Sequence, residues 1–280
     1  MNMEAKLWFM VLCGLAVLLS YLAGFWRRKA GEAAYAAART AATAKERDHY
    51  CRLAVLAGHR EACLMFCFAR SDFFEDHQPL KPFKLHGIKV AFYGYYYPSR
   101  YTDLIDDEQR AFCRSLYQFK EGENHGIEFF KACMSVLNLD DAPYHILFMP
   151  CSDEFKYARR FKRLDWYITT HRPDLSSGLY DVDVFESRDS LHEAKGGENR
   201  ILERNYRITG NIEGKQIIIV DDVLTSGQSM ADYKEEIERC GGKVVAAIFY
   251  GKTVTRPPLL LIKAHAWGGC IVNKIKELTK

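Results

Sequence analysis

Residues 214–230 read GKQIIIVDDVLTSGQSM, and few folds can use such a run. Ile217, Ile218, Ile219 and Val220 form a continuous stretch of β-branched residues, the pattern of a strand covered on both faces. That strand is expected to end in two adjacent carboxylates, Asp221 and Asp222. A turn rich in small hydroxyl residues and glycine (Thr225, Ser226, Gly227, Gln228, Ser229) then opens a helix. Ligands of α/β sheets bind beyond the carboxyl ends of the strands, where helices diverge. Free N–H groups and hydroxyls in such a turn, with a helix dipole behind them, suit a phosphate. Gly227 lets the backbone approach closely or take a positive φ. Carboxylates beside a phosphate repel it, so they should face another part of the same ligand. A vicinal diol, which donates two hydrogen bonds, is the natural partner, and phosphate plus diol describe a ribose 5-phosphate.

The surrounding pattern fits a parallel, covered sheet. Strands are expected over 87–97, 144–150, 216–220 and 243–250, with helices over 102–120, 127–139, 154–170 and 228–240. A polar stretch rich in Gly, Arg and Glu runs from the third helix to about residue 214. Paired aspartates after an apolar strand also occur in response-regulator receivers, near the start of the domain. Residue 221 leaves only about sixty residues, too few for a receiver. His145, just inside a strand, reads as a satisfied edge residue.

The 214–230 segment resembles the binding signature for 5-phosphoribosyl 1-pyrophosphate (PRPP) of the type I phosphoribosyltransferases: a hydrophobic strand, two acids, then a Thr/Ser-Gly loop. The likeness continues through Cys240-Gly241-Gly242 and the 243–250 strand. A weaker likeness to the competence-associated (ComF-like) branch lies upstream, in Phe148-Met149-Pro150-Cys151-Ser152, Arg159-Arg160-Phe161 and Asn205-Tyr206-Arg207. Two positions depart from that branch: Arg160 stands where its Arg-Gly-Phe element has glycine, and Ser152 where it has a second proline. The resemblance implies that Asp221 and Asp222 hold the ribose hydroxyls, take part in catalysis and contact Mg²⁺ bound with PRPP. It implies that Thr225, Ser226, Gly227, Gln228 and Ser229 hold the 5-phosphate. It places pyrophosphate near the turn at Cys151 and Ser152, with Arg159 as a candidate for its charge. Arg159, Arg160, Lys162 and Arg163 read equally as the charged face of a surface helix. Lys195, Arg200, Arg204 and Arg207 belong either to a loop closing over the ligand or to an exposed polar loop.

The amino-terminal end has a different character. Leu7 to Trp26 carries no charged side chain, and twenty helical residues span about 30 Å, the thickness of bilayer hydrocarbon. Trp8, Tyr21 and Trp26 lie toward its ends, and Arg27, Arg28 and Lys29 follow at once. The charge follows the apolar run, the reverse of a signal peptide. A single membrane anchor with the rest of the chain facing the cytoplasm is expected. Residues 31–45 are alanine-rich and helix-prone, and 49–68 read as two short helices broken at Gly58. Ala54, Ala57, Gly58 and Ala62 are small at the spacing of a close helix crossing, so this pair resembles a single Sel1-type repeat or an ordinary helical hairpin.

Composition closes off other classes. With 39 Lys+Arg against 36 Asp+Glu the net charge is +3, which excludes a basic nucleic-acid coat or an acidic tail as a description of the whole chain. Nine irregularly spaced cysteines in 280 residues read as reduced thiols, and Cys63 and Cys67, four apart, as helix-face packing residues. The expected layout is an anchor over 1–29, a helical connector over 30–80, and an α/β parallel-sheet phosphoribosyltransferase-like domain over 81–280. Residues 31–75 are open to a protein partner, and self-association stays open too. The resemblance carries two outcomes. One is transfer of phosphoribosyl to a nitrogen nucleophile, and the other is a non-catalytic regulator, effector or interaction protein on the same fold. The tail, 253–280, is expected either to form a base-binding hood or to pack on the sheet.

Overall fold

The structure is a computed structural model, and it describes residues 3–70, 77–185, 205–255 and 257–278. The chain forms two compact units, one of 1–73, 103–105 and 255–280 and the other of 74–102 and 106–254.

The first unit is helical. α1 (Met3–Thr40) is one unbroken helix, so the apolar run and the alanine-rich segment, expected as separate pieces, are continuous. Neither Gly24 nor Gly31 interrupts it, because the residues around them are strong helix formers. Its stretch Met10–Thr40 is long and apolar enough to cross a membrane, with mean hydropathy 1.7, and residues 10–30 of it are exposed. α2 (Ala44–Ala57) starts at a capping box, in which Thr43 Oγ1 accepts from Glu46 N (3.2 Å) and Glu46 Oε2 accepts from Thr43 N (3.3 Å). It ends at Gly58, whose φ of +89° makes the left-handed cap that separates α2 from α3 (Arg60–Phe68). Gly31 packs against Ala57, where an added Cβ would stand 3.1 Å from that methyl. Cys63 and Cys67 are buried in the hairpin, in the packing role their spacing indicated. α8 (Leu259–Leu278) joins this unit. Its Ile262 and Ala266 are buried, and Arg52 Nη1 donates to the carbonyls of His265 (3.2 Å) and Ala266 (3.4 Å). The 255–280 segment thus groups with the helices of this unit.

The second unit is built on a six-stranded sheet in the order β1-β2-β8-β7-β3-β4. Its strands are β1 (Phe83–Leu85), β2 (Ile88–Tyr96), β3 (Tyr144–Phe148), β4 (Leu175–Ser177), β7 (Gln216–Leu224) and β8 (Lys243–Thr253). Every pair is parallel except β1 with β2. The helices are α4 (Asp107–Lys120), α5 (Ile127–Val136), α6 (Glu154–His171) and α7 (Gln228–Arg239). A small antiparallel pair, β5 (Val182–Val184) with β6 (Tyr206–Ile208), lies in the stretch that reads as merely polar. β3 and the middle of β7 and β8 are fully buried, which explains their continuous apolar sequences. Phe119, Phe129, Phe148 and Phe161 fill the layer between sheet and helices, with Phe148 stacked on Phe161 at 4.7 Å. The helix expected from residue 102 starts at Asp107 instead, because the Asp106 carboxylate caps it by accepting from Gln109 N at 2.8 Å.

Candidate functional site

From β3 the chain passes through α6 to β4 on one flank, then returns to pair β7 on the other flank of β3. The connections leaving β3 and β7 thus diverge, opening the crevice at which doubly wound sheets bind ligands. β3 and β7 run in register from Tyr144↔Gln216 to Phe148↔Val220, and the last tie is Met149 N to Val220 O at 2.9 Å. β7 does not stop there. Its far neighbour β8 is longer and keeps pairing with it, Asp221↔Phe249, Val223↔Gly251 and Leu224↔Lys252. The two acids therefore lie inside a strand rather than at its end, beyond the tip of β3 and open on that side.

Adjacent residues of a strand face opposite ways, and the two carboxyls have different surroundings. Asp222 is buried (7% exposed) and its Oδ2 lies 2.6 Å from Arg160 Nη1 of α6 and 3.5 Å from Lys120 Nζ of α4. Burial opposes the charge on Arg160, but Asp222 and the other acidic groups around it together outweigh burial and hold the guanidinium pKa above its ordinary value. Lys120 also stands over the Tyr96 ring at 5.9 Å, and the Tyr96 hydroxyl bonds that of Tyr117 at 2.6 Å. Asp221 accepts from the Asp222 amide at 2.7 Å. Burial, reinforced by the charge on Asp222, pushes its pKa well above the carboxylate range.

The loop after β7 takes the form its composition indicates. Gly227 is the N-cap of α7 with φ +84°, a conformation that costs a residue with a Cβ, and it lies against Leu85. Ser226 Oγ accepts from Gln228 N at 3.3 Å, and Gln228 Nε2 donates to Asp232 at 2.7 Å. Thr225 shares a 2.8 Å hydroxyl contact with Thr253 at the end of β8. Thr225, Ser226, Gln228 and Ser229 are exposed, and the first turn of α7 carries no acidic side chain. An exposed amino-terminal turn of this kind favours an anion. Lys252, beside this loop, is half-buried, which lowers its pKa.

Across the crevice, the turn after β3 is held by Asn205, whose Nδ2 donates to the carbonyls of Cys151 (2.8 Å) and Ser152 (3.3 Å). The Cys151 thiol is buried and pushed up to about 12, so it is a packing group at neutral pH. Ser152 Oγ donates to Asp153 (3.3 Å) and accepts from Lys156 Nζ (3.2 Å).

Arg159, the expected cation of this element, turns away from the acids and pairs with Glu121. The cause is the chain after α4: Gly122 has φ +72° and lies so close to α6 that a Cβ would meet the Arg159 carbonyl at 2.4 Å. Glu121 is thereby set beside the Arg159 guanidinium. Arg160 shares the inward side of α6 with Tyr157 and Leu164, three and four residues away, and so reaches Asp222. The likeness that picks out Arg160 and Asn205 does not tell which groups they touch, and Lys120 carries no local signal at all. Arg207 lies in β6, 6.0 Å from the Phe185 ring, whereas Lys195, Arg200 and Arg204 fall outside the described residues. His145 is satisfied on both nitrogens, by Ser176 Oγ and Asp181 Oδ2, each at 2.7 Å.

Among the described residues no group of three or more His, Cys, Asp or Glu is placed to hold a metal ion. Asp222 is already neutralised by two cations and Asp221 favours its neutral form, so this donor set does not fit a protein-held Mg²⁺.

Residues 162–260 match the family model of the phosphoribosyl transferase domain, a span that contains Asp221, Asp222 and the 225–229 loop. Over 57 residues the chain is 42% identical to an orotate phosphoribosyltransferase of Sulfolobus acidocaldarius, which covers 20% of this chain and 26% of that relative. The chain thus spans about a quarter of the length of the curated relative it matches. The mostly parallel sheet with its flanking helices agrees with the type I phosphoribosyltransferase fold.

Proposed function

We propose that this chain binds PRPP or a related ribose 5-phosphate ligand in the crevice between β3 and β7, on a phosphoribosyltransferase-like unit anchored to a membrane by α1. The observation that carries this reading is the single βα unit on which two acids and an exposed, glycine-capped helix start stand side by side, inside the span that matches the family model. In this reading the 225–229 loop takes the 5-phosphate, and the acids accept the ribose hydroxyls. The turn at Cys151 and Ser152, tied by Asn205, takes the pyrophosphate, consistent with a ComF-like branch. Arg160 replaces Arg159 as the cation nearest the acids.

If the chain is an enzyme, a nitrogen nucleophile forms a bond to C1 while the C1–O bond to pyrophosphate breaks and its electron pair leaves with that group. Mg²⁺ arriving with PRPP supplies charge neutralisation to the leaving group. Holding the phosphate and diol orients C1. The second reading is binding without transfer, as a regulator or effector.

The anchor reading rests on the length and uncharged character of the 7–26 run in α1. The Arg27-Arg28-Lys29 flank favours the cytoplasmic side for everything that follows. The α2–α3 hairpin, which we relate to a Sel1-type repeat, is offered as the surface for a protein partner.

The test is calorimetric titration of PRPP and Mg²⁺ into the full chain in detergent micelles. An Asp221→Asn/Asp222→Asn variant, checked for folding by circular dichroism, serves as control. Heat in the wild type that disappears in the folded variant supports the site, and a nucleobase panel then separates transfer from binding. A folded wild type with neither heat nor thermal shift sinks the reading.

A further inference from the structure

The Asp-Asp pair looks doubly negative in the sequence, but its surroundings in the fold are not. Asp222 holds two cations from two different helices, Arg160 at 2.6 Å and Lys120 at 3.5 Å. The nearby Arg159–Glu121 pair adds no net charge. Arg160 is itself mostly buried, with 14% of its side chain exposed, and its Nε has no hydrogen-bond partner. A buried guanidinium keeps such a place only where a fixed opposite charge holds it. A divalent cation coordinated by Asp222 would have to displace both basic groups or stand within a few ångströms of them. Like charges this close in a partly buried site repel strongly, and a divalent ion doubles that repulsion.

We propose that Arg160 and Lys120 are the resident cations of the crevice. They occupy Asp222 in place of a metal and are the cations that a polyphosphate group meets in the crevice, whether or not a divalent ion accompanies it. The polyphosphate part of this inference rests on the ribose-phosphate reading, and the metal part rests on the ion pairs alone. A chain with glycine at position 160 would leave one side of Asp222 open, so this single side chain sets the charge of the site.

Two probes on the full chain in detergent test the proposal. Inorganic pyrophosphate is titrated calorimetrically in EDTA, and Mn²⁺ is titrated without ligand by electron paramagnetic resonance. The wild type is expected to bind pyrophosphate without metal. Arg160→Gln should weaken that binding at least about tenfold, the loss expected when a charged hydrogen-bonding group is removed, and Arg160→Lys should keep most of it. The wild type should show no bound Mn²⁺ in the micromolar range, and Arg160→Gln should acquire it. Pyrophosphate binding that needs a divalent ion, Mn²⁺ binding by the wild type that Asp222→Asn abolishes, or a folded Arg160→Gln with unchanged pyrophosphate affinity would each overturn the proposal. The wild-type measurements decide the matter even where a variant fails to fold. Loss of the function reading looks different: neither PRPP nor pyrophosphate produces heat, while the Mn²⁺ results stand as expected.

Discussion

Gly227 is the most constrained backbone position of the candidate site, and its replacement by alanine gives a graded test of the loop geometry. Two costs act at once. A φ of +84° is left-handed, and a Cβ there costs about 1–2 kcal/mol. The new methyl would also stand 2.7 Å from Leu85 Cδ2, inside contact distance, and overpacking of that kind adds about 1–3 kcal/mol. Leu85 ends a three-residue edge strand and is only partly buried, so it can yield, which puts the contact at the low end. The sum is about 2–3 kcal/mol, or roughly 5–10 °C in the midpoint for a unit of this size. Gly214 supplies the comparison: its φ is +71° but nothing lies within 4 Å of an added Cβ. Gly214→Ala should therefore show the backbone cost alone, about 1 kcal/mol and roughly 2–4 °C. Adding Leu85→Ala to Gly227→Ala should recover part of the difference. Thermal unfolding of the full chain in detergent, followed by circular dichroism, reads all four proteins. Equal losses at 214 and 227, with no recovery in the double variant, would refute the close approach of the loop to β1 and with it the loop geometry.

Two further outcomes follow from the same environments. The raised Asp221 pKa means that the protonated form fits the fold, so its contribution is fully present below the unfolded value near 3.8 and is lost as pH rises toward the folded one. Asp221→Asn should therefore match the wild type at about pH 4 and become progressively more stable than it up to about pH 8, and parallel melting-temperature curves would contradict this. Phe161 is fully buried between Phe148, Phe119 and Tyr157, so Phe161→Ala should cost about 3–5 kcal/mol. Phe155, one and a half turns earlier on α6 and 71% exposed, should tolerate alanine within about 0.5 kcal/mol.

Much of the fold is legible in the order of residues alone. The covered strands announce themselves in QIIIV and YHILF because strands buried on both faces need apolar residues without alternation. The left-handed caps at Gly58 and Gly227 are readable because glycine occupies that region without steric cost. β5 and β6 escape notice because three-residue strands carry too few side chains for a period to appear. β7 extends past its apolar part because its length is decided by the pairing offered by β8, a contact the local sequence does not contain. The close approach of Gly31 to Ala57 is likewise a contact between separate helices that the local sequence does not contain.

The residue types for the chemistry, two acids and a hydroxyl-glycine turn one strand-length after an apolar core, are determined by the sequence itself. Steric limits on φ and the dipole at a helix start act over a few residues, and so can be read locally. What only the tertiary structure decides is the electrostatic state of those acids. Lys120, Arg160 and Asn205 lie far apart in the chain, and they meet the crevice because α4, α6 and the strand order converge there. Charge interactions depend on distance in space and on burial, and neither quantity is written in the order of residues.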